Sequence, residues 1–276
     1  MNFIKATLTT LLLVLFLSSC SKYGKMMKNK DSAFKLTMAD KLYAEKKYHL
    51  AQQVYEELYP ILKGTDKFEE LYFKDAYCFY YLKDYKSAAQ FFKGFLEVFP
   101  NSSKGEEVDF MHAMCFYKQA PKVELDQTNT SKSIGVMQTF ISTHPGSARI
   151  KEATEIIDKS RLKLEIKQLR AAELYYKVGQ FRAAAICYTT LLVDYPESIS
   201  ADSYKFKAIA AYYKFAKLSI YDKQSERFEK VISEYQDFAD RFPQSKYLKE
   251  AQEYNNLSLT IIKEIKNEQI KTTTQL

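Results

Sequence analysis

The chain has 276 residues, 46% of them hydrophobic, with 22 Tyr, 19 Phe, no Trp, and only 7 Gly and 6 Pro. So few turn-forming residues exclude an all-β fold with many tight turns, while the apolar share is enough to bury a core. The net charge of +7 comes from 41 basic and 34 acidic residues that are interspersed. Nucleic-acid binders concentrate basic residues on one face, so no nucleic-acid partner is expected.

The chain begins with an address. Lys5 precedes an apolar run from Ala6 to Leu17, which Leu17-Ser18-Ser19-Cys20 closes. The run is too short to span a bilayer and reads as a signal peptide over 1–19. Its ending resembles a bacterial lipobox. That resemblance implies lipid attachment at Cys20, through diacylglycerol on sulfur and an acyl chain such as palmitate on the amine. Each buried CH2 would add about 0.8 kcal/mol of anchoring. An ordinary secretory peptide ending near a cysteine is the plainer alternative. Ser21 stands where an Asp would imply inner-membrane retention, and no acidic cluster follows. The resemblance therefore implies the outer membrane, on its periplasmic leaflet. Lys22, Lys25, Lys28 and Lys30 read as a solvated tether over 20–31, beside anionic headgroups.

Beyond the tether, one phrase returns four times: an aromatic or His, Pro, any residue, Ser. It stands at Phe99–Ser102, His144–Ser147, Tyr195–Ser198 and Phe242–Ser245, with prolines 45, 51 and 47 residues apart. Such a period marks a repeat array. Proline disfavours helix in the residue before it, so each phrase ends a helix, and its Ser is placed to cap the next one.

A helical hairpin precedes each phrase. The first carries Tyr48, Ala51 and Tyr55 and lacks the proline at the expected place; the second carries Tyr85, Ala88, Phe92 and Pro100, with Lys83 at its turn. The third has a long connection from Gln119 to Thr130 and Met137 at the aromatic position. The fourth predicts a helix over Arg161–Val178, a turn at Gly179, and a helix over Arg182–Tyr195 with Ala184, Tyr188 and Leu191 on one face. The fifth has Tyr235 and a connection expected over Leu218–Ser225. Lys246–Lys266 reads as a closing helix with polar outer positions.

Gly179, Phe181, Ala184, Tyr188 and Pro196 match the tetratricopeptide repeat (TPR) in order and spacing, and the other copies follow more loosely. The resemblance implies an all-α fold: a right-handed α-solenoid of about five tetratricopeptide-like helical hairpins with a C-terminal capping helix. The array with its cap is expected over 32–266, and a disordered tail over 267–276.

Catalytic patterns are missing. His49, His112 and His144 sit in unrelated surroundings, and no phosphate loop, GxSxG or HExxH is present. No enzyme activity, metal or cofactor is expected. Cys78, Cys115 and Cys187 lie in apolar helical stretches without metal spacing, and read as free thiols packed as small hydrophobes.

Aligning the first helices of the five hairpins places Tyr43, Tyr80, Tyr117, Tyr176 and Tyr213 at one position. In the first four copies this is four residues past Ala39, Ala76, Ala113 or Ala172. Tyrosine can stack, and its hydroxyl can bond a peptide backbone. Together with Phe73, Tyr77, Phe110 and Met114, residues Tyr43, Tyr80 and Tyr117 form a candidate peptide-binding groove. The plainer alternative is that these rings pack one helix against the next.

A lipobox followed by about five such repeats resembles the BamD family of outer-membrane assembly lipoproteins, in a form like those of Bacteroidota. Leu62–Thr65, Leu125–Thr130, the Tyr-rich helices and the Pro-x-Ser phrases carry the resemblance. It implies a non-enzymatic subunit of the β-barrel assembly machine. The N-terminal repeats would bind unfolded outer-membrane protein clients by a C-terminal aromatic strand. The C-terminal repeats would dock on the periplasmic POTRA domains of the BamA-like barrel protein. The competing reading is a periplasmic TPR lipoprotein that serves as a scaffold for cell-wall synthesis or pilus assembly.

Overall fold

The computed structural model describes Gly24 and residues 27–274, with the backbone alone for 272–274. The expected signal peptide and the expected lipid-attachment residue Cys20 lie outside the described residues. All regular structure among the described residues is helical. Five hairpins form in chain order: α1 (Ser32–Ala44) with α2 (Tyr48–Leu62), α3 (Phe68–Tyr81) with α4 (Tyr85–Val98), α5 (Gly105–Gln119) with α6 (Thr128–Thr143), α7 (Ile150–Lys177) with α8 (Phe181–Asp194), and α9 (Ala201–Lys217) with α10 (Tyr221–Arg241). A final helix, α11 (Leu248–Thr274), closes the order. This is the expected all-α architecture of tetratricopeptide-like hairpins.

Three of the five hairpins turn in the same way. Lys46, Lys83 and Gly179 take left-handed backbone angles, with φ of 60°, 64° and 79°. In each turn this residue's amide donates to the carbonyl of the repeated tyrosine: Tyr43 (2.9 Å), Tyr80 (3.0 Å) and Tyr176 (3.2 Å). The following amide reaches one residue further back, to Leu42, Phe79 and Tyr175. That pair of bonds is the Schellman motif, which satisfies carbonyls the helix end leaves open. Glycine takes this conformation without strain, whereas a side chain there costs about 1 kcal/mol. Lys83→Gly is therefore expected to stabilise the protein by about 0.5–1 kcal/mol, read as a higher urea midpoint with an unchanged slope.

The four Pro-x-Ser phrases also share one geometry. Each Ser amide donates to the carbonyl of the aromatic or His, at 3.0–3.1 Å, across a turn with Pro in its second place. Each Ser Oγ accepts from the amide two residues on, of Lys104, Arg149, Ser200 and Tyr247. The cap thus falls in the turn, just before the next helix starts. Each Oγ–H also donates to a carboxylate on the first helix of its own hairpin: Glu69, Glu106, Glu165 and Asp202. Sequence reasoning missed these acids, because they look like ordinary solvated helix residues.

The described residues divide into two compact units between Ser160 and Arg161, inside α7, where a single array is expected from the sequence. The N-terminal unit holds three hairpins and the first turns of α7. Its largest fully buried side chains include Tyr55, Phe92, Phe95, Phe110 and Phe140. Full burial of an aromatic side chain contributes about 2–3 kcal/mol. Ala153, Ile156 and Ile157 of α7 join this core at helical spacing. The C-terminal unit packs Ala172 of α7 with Ala184, Tyr188 and Leu191 of α8 and Ala208 and Ala211 of α9. A second cluster there joins Phe228, Val231 and Phe238 of α10 to Ala251 and Ile262 of α11.

Three boundaries depart from expectation. The first helix of the fourth hairpin starts at Ile150, not Arg161, because no Gly or Pro interrupts the sequence between them. In the fifth hairpin α10 starts at Tyr221, so the connection is 218–220 and Ser225 lies inside the helix. Gln224 there donates to the Ser219 carbonyl (2.9 Å) and Arg227 to the Ser219 hydroxyl, which ties the short turn to the new helix. Past Lys266, where a disordered tail is expected, α11 continues to Thr274.

Candidate functional site

The repeated tyrosine is a helix-end residue in three hairpins, and that position directs its ring. Tyr43 meets Tyr48 edge-on at 5.6 Å, Tyr80 meets Tyr85 at 5.4 Å, and Tyr176 meets Phe181 at 5.2 Å. Each partner is the first residue of the hairpin's second helix. All five repeated tyrosines are half-buried. These three contacts run within a hairpin, while Tyr43 also meets Tyr81 of the next hairpin at 6.5 Å, and part of each ring stays at the surface. The other two copies differ. Tyr117 precedes the Pro121 loop, and its carbonyl accepts from Ala120 (3.1 Å). Tyr213 lies a turn before the end of α9, with its ring against Phe228 (5.7 Å) and Tyr254 (5.0 Å).

In the N-terminal unit the phenols converge. Tyr81, 45% exposed, stacks on Tyr48 at 4.5 Å and lies 6.5 Å from Tyr43, 5.7 Å from Tyr77 and 5.8 Å from Tyr80. Phe73 extends the patch by an edge contact to Tyr77 at 5.0 Å. Tyr48, Tyr81 and Tyr85 were not among the sequence candidates. Tyr81 follows Tyr80 directly, so it falls off the periodic face that identified the others.

Two sequence candidates lie beneath this patch. Phe110 is 1% exposed, packed on Phe140 at 5.3 Å, and Met114 is 8% exposed. Both support the surface from within. Tyr77 is also nearly buried, at 7%, and donates to Glu107 Oε1 at 2.5 Å. Cations flank the aromatic surface: Lys104 lies 5.5 Å from the Phe73 ring, and the Arg149 guanidinium lies 4.8 Å from the Phe110 ring.

Burial, with the neighbouring phenols and Glu107 adding to it, raises the pKa of Tyr43 and Tyr81 above the ordinary tyrosine range. Burial pushes Tyr80 up to about 12. These hydroxyls therefore stay protonated at neutral pH and can donate to a carbonyl. Cys78 and Cys115 are buried free thiols, and Cys187 is a partly exposed one. Among the described residues no group of three or more His, Cys, Asp and Glu could hold a metal ion, and no helix is long and apolar enough to cross a membrane.

Stacked helical hairpins with a phenol-rich surface define a helical-repeat scaffold. A family model described as YfiO, outer membrane lipoprotein, matches residues 28–226. The chain belongs to that family, which is BamD-like and associated with the outer membrane. No curated protein matches the chain. Among solved structures, the TPR2AB-domain:pHSP90-complex of yeast Sti1 is similar at 12% identity, over 83% of this chain and 97% of that one, with a TM-score of 0.41. A TPR repeats protein from Bacteroides fragilis NCTC 9343 is similar at 14% identity, over 85% of this chain and 100% of that one, with a TM-score of 0.38.

Proposed function

We propose that this protein is a non-enzymatic subunit of the outer-membrane β-barrel assembly machine, of the form found in Bacteroidota. A signal peptide is cleaved before Cys20, and acylation there tethers the chain to the periplasmic leaflet. The tyrosine patch of the N-terminal unit binds the aromatic C-terminal strand of an unfolded outer-membrane protein. The C-terminal unit docks on the POTRA domains of the BamA-like barrel subunit. Family membership supports the setting, and the convergence of three half-buried phenols, Tyr43, Tyr48 and Tyr80, and the buried Tyr77 on Tyr81 carries the assignment of the patch.

The physical fit is specific to an extended chain. Phenol hydroxyls donate to unpaired backbone carbonyls, and the ring faces accept an aromatic side chain. Arg149 stands beside the rings, where a terminal carboxylate would be favoured, whereas Lys104 is already paired with Glu70 at 3.2 Å. Weak contacts spread over several rings hold a client and release it, because ordering the chain offsets much of the gain.

Tyr81→Ala removes an exposed ring without opening the core. It is expected to weaken binding of a labelled peptide with an aromatic C-terminus about 5–30-fold, read by fluorescence anisotropy, with the helical circular dichroism unchanged. Unaltered affinity would remove the patch from the binding surface. At the level of the whole complex, solubilisation of the native membrane in mild detergent should recover the protein with its barrel subunit. Recovery with cell-wall synthases or pilins in its place would overturn the assembly-machine reading.

A further inference from the structure

The C-terminal unit holds a second aromatic cleft, distinct from the tyrosine patch. Its volume is about 330 Å³, and its walls include Glu173 and Tyr176 of α7, Phe206 and Lys207 of α9, and Glu250 and Tyr254 of α11. The rings support one another. Tyr254 lies 5.0 Å from Tyr213 and 6.3 Å from Phe206, which itself stacks on Tyr247 at 4.9 Å.

The chain already seats its own cations on these rings. Lys207 Nζ is 5.8 Å from the Tyr188 ring, and Lys214 Nζ is 5.0 Å from the Tyr176 ring. The negative face of an aromatic ring attracts a cation, most strongly where water is partly excluded. Lys207 is also paired with Glu173 at 2.7 Å. Of the two carboxylates in the wall, Glu173 is therefore neutralised from within, and Glu250 at the exposed rim, together with the Glu253 charge that reaches Tyr254, outweighs the one further cation, Lys214 on the Tyr176 ring. Burial, with Tyr176 and Glu250 adding to it, raises the Tyr254 pKa, so its hydroxyl keeps its proton.

We infer that this cleft receives a single arginine side chain presented by a partner protein. The guanidinium is flat and stacks on the aromatic wall, while its fork of N–H groups meets the Glu250 carboxylate and the phenol oxygens. A lysine ammonium is more strongly hydrated and lacks the planar match. The inference goes beyond client binding and does not depend on it, since every residue of the cleft lies in the C-terminal unit.

The test titrates the full chain with acetyl-Gly-Arg-Gly-amide and with the same peptide carrying citrulline, the neutral isostere of arginine. Binding is read by NMR from the ring signals of Tyr176 and Tyr254. The arginine peptide is expected to give saturable shifts, and the citrulline peptide to bind roughly tenfold more weakly. Glu250→Gln, at an exposed position, should reduce arginine-peptide affinity to the citrulline level, and Tyr254→Leu should do so independently. Equal affinity for the two peptides, no saturable shift, or full affinity in Glu250→Gln would each overturn the inference.

Discussion

Asp75→Asn is expected to stabilise the protein by about 1–3 kcal/mol above pH 7, and by almost nothing below pH 4. Asp75 is fully buried in α3, and neither carboxylate oxygen has a hydrogen-bond partner. Burial pushes its pKa from 3.8 up to about 7. The Tyr59 hydroxyl of α2 draws that value back down without reaching hydrogen-bond geometry, while the Glu56 charge raises it. The native state thus holds the proton more tightly than the unfolded chain does. Between pH 4 and 7 the native state binds more protons, so the contribution of Asp75 to stability falls as pH rises through that window. Each pKa unit corresponds to about 1.4 kcal/mol, and the buried amide of Asn costs about as much to desolvate as the protonated acid, so the variant gains only where Asp75 ionises. Burial lowers the His112 pKa, so its contribution to stability changes with pH in the opposite sense. The informative quantity is therefore the difference between wild type and Asp75→Asn, measured by urea unfolding across pH 4–8. A difference that does not change with pH would contradict the assignment.

Lys205→Ala should cost about 2–4 kcal/mol. Lys205 and Glu234 are 5% and 6% exposed, with Nζ and Oε2 2.6 Å apart, and Lys205 also pairs with Asp237. Burial pushes the Glu234 carboxyl up, but hydrogen bonds from Lys205 and Lys230 outweigh it and hold the pKa below the usual carboxylate range. Removing Lys205 leaves a buried carboxylate with only the half-exposed Lys230, at 2.6 Å, to balance it. Breaking one side of a buried pair is costly because the other charge stays desolvated. Replacing both sides with apolar residues is often nearly neutral. The double variant Lys205→Met, Glu234→Leu should accordingly recover most of the loss in urea unfolding. A single variant within 1 kcal/mol of wild type would show that the pair is solvated.

Much of this fold is local and therefore legible in the sequence. The Pro-x-Ser phrases mark the ends of four hairpins, because proline constrains the residue before it. Tyr43, Tyr80 and Tyr176 align because each is tied to the same helix-ending turn. Other features depend on contacts between distant residues. The Ser102, Ser147, Ser198 and Ser245 hydroxyls find acids 33–43 residues earlier in the chain. Nothing in the run from Ile150 to Lys177 marks where the packing of α7 passes from one unit to the other. The division inside α7 is a property of packing, which helical periodicity does not report.

The candidate surface was partly legible for the same reason. Periodicity identified the half-buried rings of Tyr43 and Tyr80, and it also picked out Phe110 and Met114, which belong to the core beneath. It passed over Tyr81, whose exposure puts it outside any apolar stripe. Asp75 reads as one more helix acid in sequence, yet it directly precedes Ala76 on the buried face.

Photocrosslinking from position 81 in the native membrane tests the central claim most directly. A benzoyl-phenylalanine placed at Tyr81 should form adducts with unfolded outer-membrane barrel proteins, while the same probe at the exposed Ile186 should not. Adducts at position 81 with cell-wall synthases or pilins alone, or equal barrel-protein adducts at both positions, would contradict the account.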